Sequence, residues 1–318
     1  MSPLRVIFMG TAELACASLA ALAGSAAFQV LAVVTQPDRP KGRDLKLQPT
    51  PVKVLALRLG LPILQPERAR AETFIQELAG LRPDLITVAA YGQILPAAIL
   101  DLPRFGCVNV HTSLLPKYRG AAPIQWAILD GEPQTGVTIM KMDAGLDTGP
   151  ILAQQATVIT SEDDAQTLHN RLAELGSGLL LKTIPDYVAG KTLPQPQPVE
   201  GISYARKITR QDGLLDWHLP ARALGNRVRG LTPWPGAFTH LPGEFRPPLL
   251  KVWRAEITAA PAGGPGTILE AGAGGILVSC GEGALRLLEV QREGGRRLAA
   301  RDFLAGHPLG AGARFPPG

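Results

Sequence analysis

Residues 107–120 read CVNVHTSLLPKYRG. An apolar run is interrupted by one amide, Asn109, and closed by one imidazole, His111. A proline-stiffened turn and two cations, Lys117 and Arg119, follow at once. Successive side chains on a β-strand face opposite ways, so Asn109 and His111 share one face while Val108 and Val110 share the other. An apolar strand that ends in two polar side chains fits the C-terminal edge of a parallel sheet, where open α/β folds hold their ligands. Taken alone, an edge histidine bonded to a neighbouring loop is the commoner outcome, and so is an asparagine bonded to a turn.

The flanking chain decides between these readings. RVIFMG (5–10), VLAVVT (30–35) and DLITVAA (84–90) are also apolar on both faces, and they alternate with helix-patterned stretches at 13–24, 51–60 and 70–80. Pro51 opens the second of these helices and Gly60 closes it. Two-faced strands alternating with helices predict an α/β fold with a mostly parallel, Rossmann-like sheet. GVTIMKM (136–142) and ILAQQATVI (151–159) read as antiparallel strands joined by DAGLDTG (143–149). Residues 163–190 read as one long amphipathic helix or a pair, and the proline-rich KTLPQPQPVEG (191–201) reads as a linker. After residue 206 come a helix over 221–231 and short strands at 248–257, 266–271, 275–280 and 284–291, separated by glycine-rich turns. That texture predicts a small β-barrel of the oligonucleotide-binding (OB) type. The expected organisation is a catalytic domain over 1–190, a linker over 191–206 and a C-terminal domain over 207–318.

A chain of 318 residues, 46% hydrophobic and 19% charged, has room for two domains with real cores. Its charge is uneven. Residues 1–205 carry 17 Lys and Arg against 18 Asp and Glu; residues 206–318 carry 15 against 9. The positive excess lies wholly in the C-terminal third, which suggests a polyanionic partner, nucleic acid first. A solvated arginine-rich surface is the plainer alternative. No run approaches the ~20 apolar residues that span a bilayer, and no apolar leader opens the chain. A cytoplasmic protein with no membrane partner is expected, working as a monomer. Cys16, Cys107 and Cys280 are scattered, and Cys107 reads as a buried thiol. The five histidines stand apart from one another and from acidic or thiol ligands, so no metal is expected. FMGTAEL after the first strand has a single glycine, which disfavours a dinucleotide site; no P-loop and no GxSxG occurs.

What remains is Asn109, His111 and the two carboxylates of DAGLDTG, Asp143 and Asp147. A carboxylate beside an imidazole orients the ring and favours its protonated form. An amide aimed at a carbonyl oxygen stabilises an oxyanion. Without an obvious nucleophile, this set suits direct acyl transfer from a bound donor to a bound amine. Either aspartate could instead be a turn residue bonding its own backbone.

NVHTSLLPKYRGAAPIQWAILDGEPQTGVTIMKMDAGLDTG (109–149) resembles the folate-dependent formyltransferases. AAYGQILP (89–96) and TQPDRPKGRDLKLQPTPVK (35–53) are similar to the branch that acts on charged initiator tRNA. The resemblance covers nearly the whole chain and thins toward the C-terminus, where LTPWPGAF (231–238) and LKVWRAEI (250–257) still carry it. It implies a formyltransferase fold with an OB-type second domain. It implies 10-formyltetrahydrofolate as formyl donor, methionyl-initiator tRNA as acceptor, and no metal. Residue by residue it implies Asn109, His111 and Asp147 as the catalytic trio. Ser113, Leu114, Leu115 and Pro116 would form a folate-contacting loop, and Gln93, Ile94 and Leu95 would hold the pterin through their backbone. The loop over 36–49 would enter the tRNA acceptor end with Arg39, Lys41 and, above all, Arg43, ordering only on tRNA. Thr112 and Ala12 depart from the glycine and proline more usual in the family. The rivals are a formyltransferase acting on a small amine, a formyl-folate hydrolase and a non-catalytic RNA-binding protein.

Overall fold

The computed structural model describes residues 2–41, 46–243, 247–259 and 263–316, with Lys41 described by its backbone alone. Chain contacts divide it into two compact units. One holds Met1–Pro123, Gln134–Val158 and His169–Ala205; the other holds Ile124–Pro133, Ile159–Leu168 and Arg206–Gly318.

The first unit is built on a sheet that has seven strands among the described residues. From edge to edge they are Ile151–Val158, Gln134–Lys141, Cys107–His111, Leu85–Ala89, Leu4–Gly10, Phe28–Val34 and Ile63–Leu64. The last five are mutually parallel. Strands Leu85–Ala89 and Cys107–His111 are buried at every position, as a sheet covered on both faces requires. On one face Cys107 joins Ile7, Met9, Ile86 and Val88 against Phe74 and Leu78 of helix Glu72–Leu81. On the other, Val110 lies so near Gly176 of helix Ala165–Val188 that an added Cβ there would come within 2.9 Å of it.

Local chemistry sets the helix ends. Pro51 opens helix Pro51–Arg58, and the Thr50 hydroxyl accepts the Lys53 N–H at 3.0 Å. The stretch 163–190 forms one helix, not a pair. Asp164 caps it by accepting the N–H groups of Gln166 and Thr167, and Pro185 falls in its last turn, at the cost of one bond to the Leu181 carbonyl.

Two features were not read from the sequence. Strand Gln134–Lys141 runs antiparallel to Cys107–His111 as well as to Ile151–Val158, setting Thr138 opposite His111 and Met140 opposite Asn109. The stretch 36–49 was expected to be mobile alone and to order on tRNA. Its described parts include two short antiparallel strands, Arg39–Lys41 paired with Lys46–Gln48. No apolar alternation announces this hairpin, because its second strand is exposed at every position.

In the second unit, strands Ala237–His240, Leu249–Thr258, Ala284–Arg292, Gly275–Ser279 and Ile268–Gly272 form one antiparallel sheet, consistent with a small barrel. Its core centres on Trp217, fully buried, stacked on Phe315 with ring centroids 5.6 Å apart, and donating from its indole N–H to Thr239. The glycines of 272–275 make a hairpin turn between two strands.

Candidate active site

Asn109 and His111 end the Cys107–His111 strand on one face, and both line a cavity of about 510 Å³. The cavity lies outside the C-terminal ends of Leu85–Ala89 and Cys107–His111, beside the central strand from which the sheet order runs both ways. Its other walls come from Ala90–Leu95, from Gly120 and Ala121, and from Met140 and Met142–Asp147. Asn109 is 9% exposed, and its side-chain amide has no hydrogen-bond partner among the described residues. Both of its polar ends are left for a ligand.

His111 is pinned on one side only. Its Nε2 lies 2.9 Å from the Tyr118 carbonyl oxygen, while its Nδ1 lies 3.7 Å from Asp147 Oδ2. A carbonyl oxygen only accepts, so Nε2 carries hydrogen and Nδ1 is the atom free to gain or lose a proton. Asp147 Oδ2 also accepts the Gly120 N–H at 2.8 Å. Of the two candidate carboxylates, Asp143 takes the turn role: its Oδ1 accepts from Gly145 N–H and from the Thr148 hydroxyl. Asp147 is the one that meets the imidazole.

The backbone around this cavity is strained. The non-glycine residues with positive φ among the described residues are Arg82, Ala90, Tyr118 and Asp147. Arg82 ends a helix, whereas Ala90 and Asp147 line the cavity and Tyr118 supplies the carbonyl to His111. Such conformations persist only where the surroundings over-determine them, and they gather at functional sites. Gly120 has φ 117°, and an added Cβ would fall 2.8 Å from the Ala205 carbonyl, so glycine is needed there for both reasons.

The remaining candidates divide. Gln93, Ile94 and Leu95 all line the cavity; Ile94 is 88% exposed on its rim, and the Gln93 side chain accepts the Ala69 N–H at 2.8 Å. Ser113, Leu114, Leu115 and Pro116, the proposed folate-contacting loop, follow Thr112 on the cavity wall and are not themselves among its lining residues. The turn is tied to the neighbouring strands. Thr138 donates to the Ser113 carbonyl and accepts the Leu115 N–H, Gln154 donates to the Leu115 carbonyl, and Ser113 donates to the Lys117 carbonyl. The bond before Pro116 is cis. What this turn does for the site is return the chain so that Tyr118 faces His111. Arg39 is exposed and paired with Glu67 at 3.1 Å; the side chain of Lys41 and all of Arg43 lie outside the described residues.

Sequence reasoning missed the Tyr118 carbonyl, the Gly120 N–H, and the side chains of Arg119 and Gln197. The first two are backbone groups, which no residue type announces. Gln197 lies in the stretch read as a linker, yet its amide donates to the carbonyls of Asp147 and Gly149 and accepts from Arg119. Burial pushes the Cys107 thiol up to about 12, which suits an inert core residue. Among the described residues no group of His, Cys, Asp and Glu could hold a metal ion, and no helix is long and apolar enough to cross a membrane.

Two family models match the chain: "Formyl transferase" over residues 4–184 and "Formyl transferase, C-terminal domain" over 207–308. The methionyl-tRNA formyltransferase of Citrifermentans bemidjiense is 50% identical over 312 residues, 98% of this chain and 96% of that protein. That of Myxococcus xanthus is 50% identical over 314 residues, 99% of this chain and 98% of that protein. Among solved structures, the N-formyltransferase of Helicobacter canadensis, in complex with folinic acid and dTDP-3-aminofucose, aligns with TM-score 0.64 at 18% identity, over 89% of this chain and 99% of its own. HypX of Aquifex aeolicus in complex with tetrahydrofolic acid aligns with TM-score 0.62 at 16% identity, over 98% of this chain and 48% of its own. Those two share the fold. By both of its matched parts and by its full-length relatives, the chain belongs to the formyl transferase family, among the methionyl-tRNA formyltransferases.

Proposed function

We infer that this chain transfers the formyl group of 10-formyltetrahydrofolate to the α-amine of methionine carried on initiator tRNA. The observation that carries this reading is the meeting, in one cavity, of the Asn109 amide, the free Nδ1 of His111 and the carboxylate of Asp147. The cavity suits a folate: it is mostly apolar, walled by Val88, Leu95, Met140 and Met142, and lined by the 92–95 stretch.

The folate supplies an activated formyl group on N10. The chain's residues then divide the work. Asn109 donates its side-chain N–H to the formyl oxygen as negative charge develops there. His111 has one free nitrogen, so Nδ1 takes the proton released by the attacking amine and returns it to the departing N10. Asp147 steadies the imidazolium from Oδ2, and the Gly120 N–H keeps that oxygen aimed. The Tyr118 carbonyl holds the ring so that Nδ1 faces the cavity.

The acceptor's polyanionic body suits the positive excess of residues 206–318 and the cations of the 36–49 stretch, of which Arg39, Lys41 and Arg43 are the proposed tRNA contacts. Asp38 roots that stretch by accepting from Lys53 and Gln65. The hydrogen bond from Lys53, foremost, holds its carboxyl below the usual carboxylate range. In the second unit Trp234 is 55% exposed, and Lys251 donates to the carbonyl of the next residue, Pro235. An exposed ring suits stacking on a base.

The test is transfer of labelled formyl from the folate to methionyl-tRNA by the full chain, with nucleotide-linked sugar amines as competing acceptors. The tRNA is formylated and the sugar amines are not. Preference for a small amine, or folate hydrolysis without transfer, overturns the assignment. Replacing Asn109 with Ala lowers turnover by about 10²–10³-fold, the usual loss for one oxyanion donor.

A further inference from the structure

The segment that leads out of the first unit is bound at several points to the catalytic loops. Gln195 exchanges two backbone hydrogen bonds with Ile151, at 2.7 and 2.8 Å. Tyr204–Ala205 pairs in parallel with Arg119–Gly120. The Ser203 carbonyl accepts the Arg119 N–H at 2.9 Å, the Ser203 hydroxyl accepts the Tyr118 N–H at 2.9 Å, and the Ala205 carbonyl accepts the Ala121 N–H at 2.8 Å. The short strand held this way carries the two backbone groups that orient the catalytic pair: the Tyr118 carbonyl on His111 and the Gly120 N–H on Asp147.

Gln197 completes the arrangement. Its Nε2 donates to the carbonyls of Asp147 and Gly149, each at 2.8 Å. Its Oε1 accepts from Arg119 Nε at 3.1 Å and Nη2 at 2.7 Å. The partners settle which way the amide points, because a guanidinium only donates and carbonyls only accept. All four hydrogen-bonding positions of the amide are used. Arg119 is 7% exposed, so this is an inward contact and not a surface pairing. Asp147 itself sits at φ 52°, a conformation that needs outside support.

We propose that residues 197–205 form a strap that positions the catalytic pair, with Gln197 the positioning residue for Asp147. This rests on the reading of His111 and Asp147 as that pair. Gln197 touches no reacting atom. It holds the Asp147 carbonyl, and through it the φ that sends the carboxylate toward His111 Nδ1. Its neighbours in the strap hold the strand bearing Tyr118 and Gly120.

The experiment is a kinetic cycle on the full chain, with Gln197→Met, Asp147→Asn and the double variant. Methionine keeps the length and apolar bulk of glutamine but makes none of the four bonds. Gln197→Met lowers kcat by about 10- to 100-fold, the cost of misplacing a catalytic group by roughly 1 Å, while KM for folate and tRNA stays near wild type. The double variant is no slower than Asp147→Asn alone, because both changes remove the same interaction. A purely structural role would lower the unfolding midpoint and add its loss to that of Asp147→Asn. Arg119→Met, the second route to the same contact, lowers kcat in the same direction and is likewise silent on top of Asp147→Asn. Wild-type kcat in Gln197→Met, or losses that multiply in the double variant, overturns the strap. A wild-type rate in Asp147→Asn overturns the catalytic pair, and the strap with it.

Discussion

The two units spend their backbone differently. In the first, Ala90, Tyr118 and Asp147 hold positive φ around one cavity. In the second, among the described residues, positive φ falls on glycines alone, such as Gly236, Gly266 and Gly275. Charge divides the other way, balanced in residues 1–205 and positive in 206–318. Strain marks the place where a few groups must be aimed to within a fraction of an ångström. Relaxed turns and spread charge mark a surface that only has to attract and hold.

The largest expected effect tests the first half of that contrast. His111→Ala and Asp147→Ala lower kcat by about 10²–10⁴-fold, the range for loss of a general acid or base, and leave the dissociation constant for tRNA unchanged. A comparable loss of tRNA affinity would mean the cavity also serves as platform. Next comes the second half. Affinity for tRNA falls steeply with salt, and Arg39→Ala lowers the slope of log affinity against log salt by about one unit, as loss of one phosphate contact does. A salt-insensitive affinity breaks the contrast.

A smaller effect lies inside the second unit. Asp212 accepts from Arg206 and from the backbone and hydroxyl of Thr209, and the Arg206 hydrogen bond, foremost, holds its carboxyl well below the usual range. A carboxylate with lowered pKa stabilises the fold above its unfolded value of about 4, and that contribution is lost as pH falls through the folded value. Asp212→Asn therefore costs about 1–3 kcal/mol at neutral pH, and the gap from wild type closes as a denaturant midpoint is followed down below about pH 4. A gap that persists in acid would assign the loss to packing. The smallest effect concerns strain itself. Ala90→Gly relieves a left-handed alanine and raises stability by about 1 kcal/mol. Gly236→Ala, at φ 81°, lowers it by a similar amount.

Much of this was legible in the residues, for physical reasons that also set the limits. The parallel strands announce themselves because both faces are buried, and DLITVAA has no polar face to show. Asn109 and His111 were found by the two-residue period of a strand. The hairpin at 39–48 was not, since an exposed ladder such as Lys46–Gln48 needs no apolar pattern. Ser113–Pro116 was proposed as a ligand wall from the resemblance, and that Thr138 and Gln154 hold its backbone from across the sheet was not legible, because those partners lie far along the chain. Gln197 was hidden because its partners lie 50 and 78 residues away and a proline-rich stretch reads as tether. Residue chemistry alone left Asp143 and Asp147 open, because both sit in one glycine-bounded loop; the resemblance chose Asp147, and the geometry sets it beside His111.

The bond from His111 Nε2 to the Tyr118 carbonyl has a consequence for the order of events. A ring pinned at one corner cannot flip, and it cannot trade tautomers without breaking its pin. Proton arrival and departure then use the same nitrogen, so they cannot coincide. In the proposed transfer the imidazole acts as a turnstile: the amine surrenders its proton before the leaving nitrogen receives one, and each turnover passes through a state in which the histidine carries it.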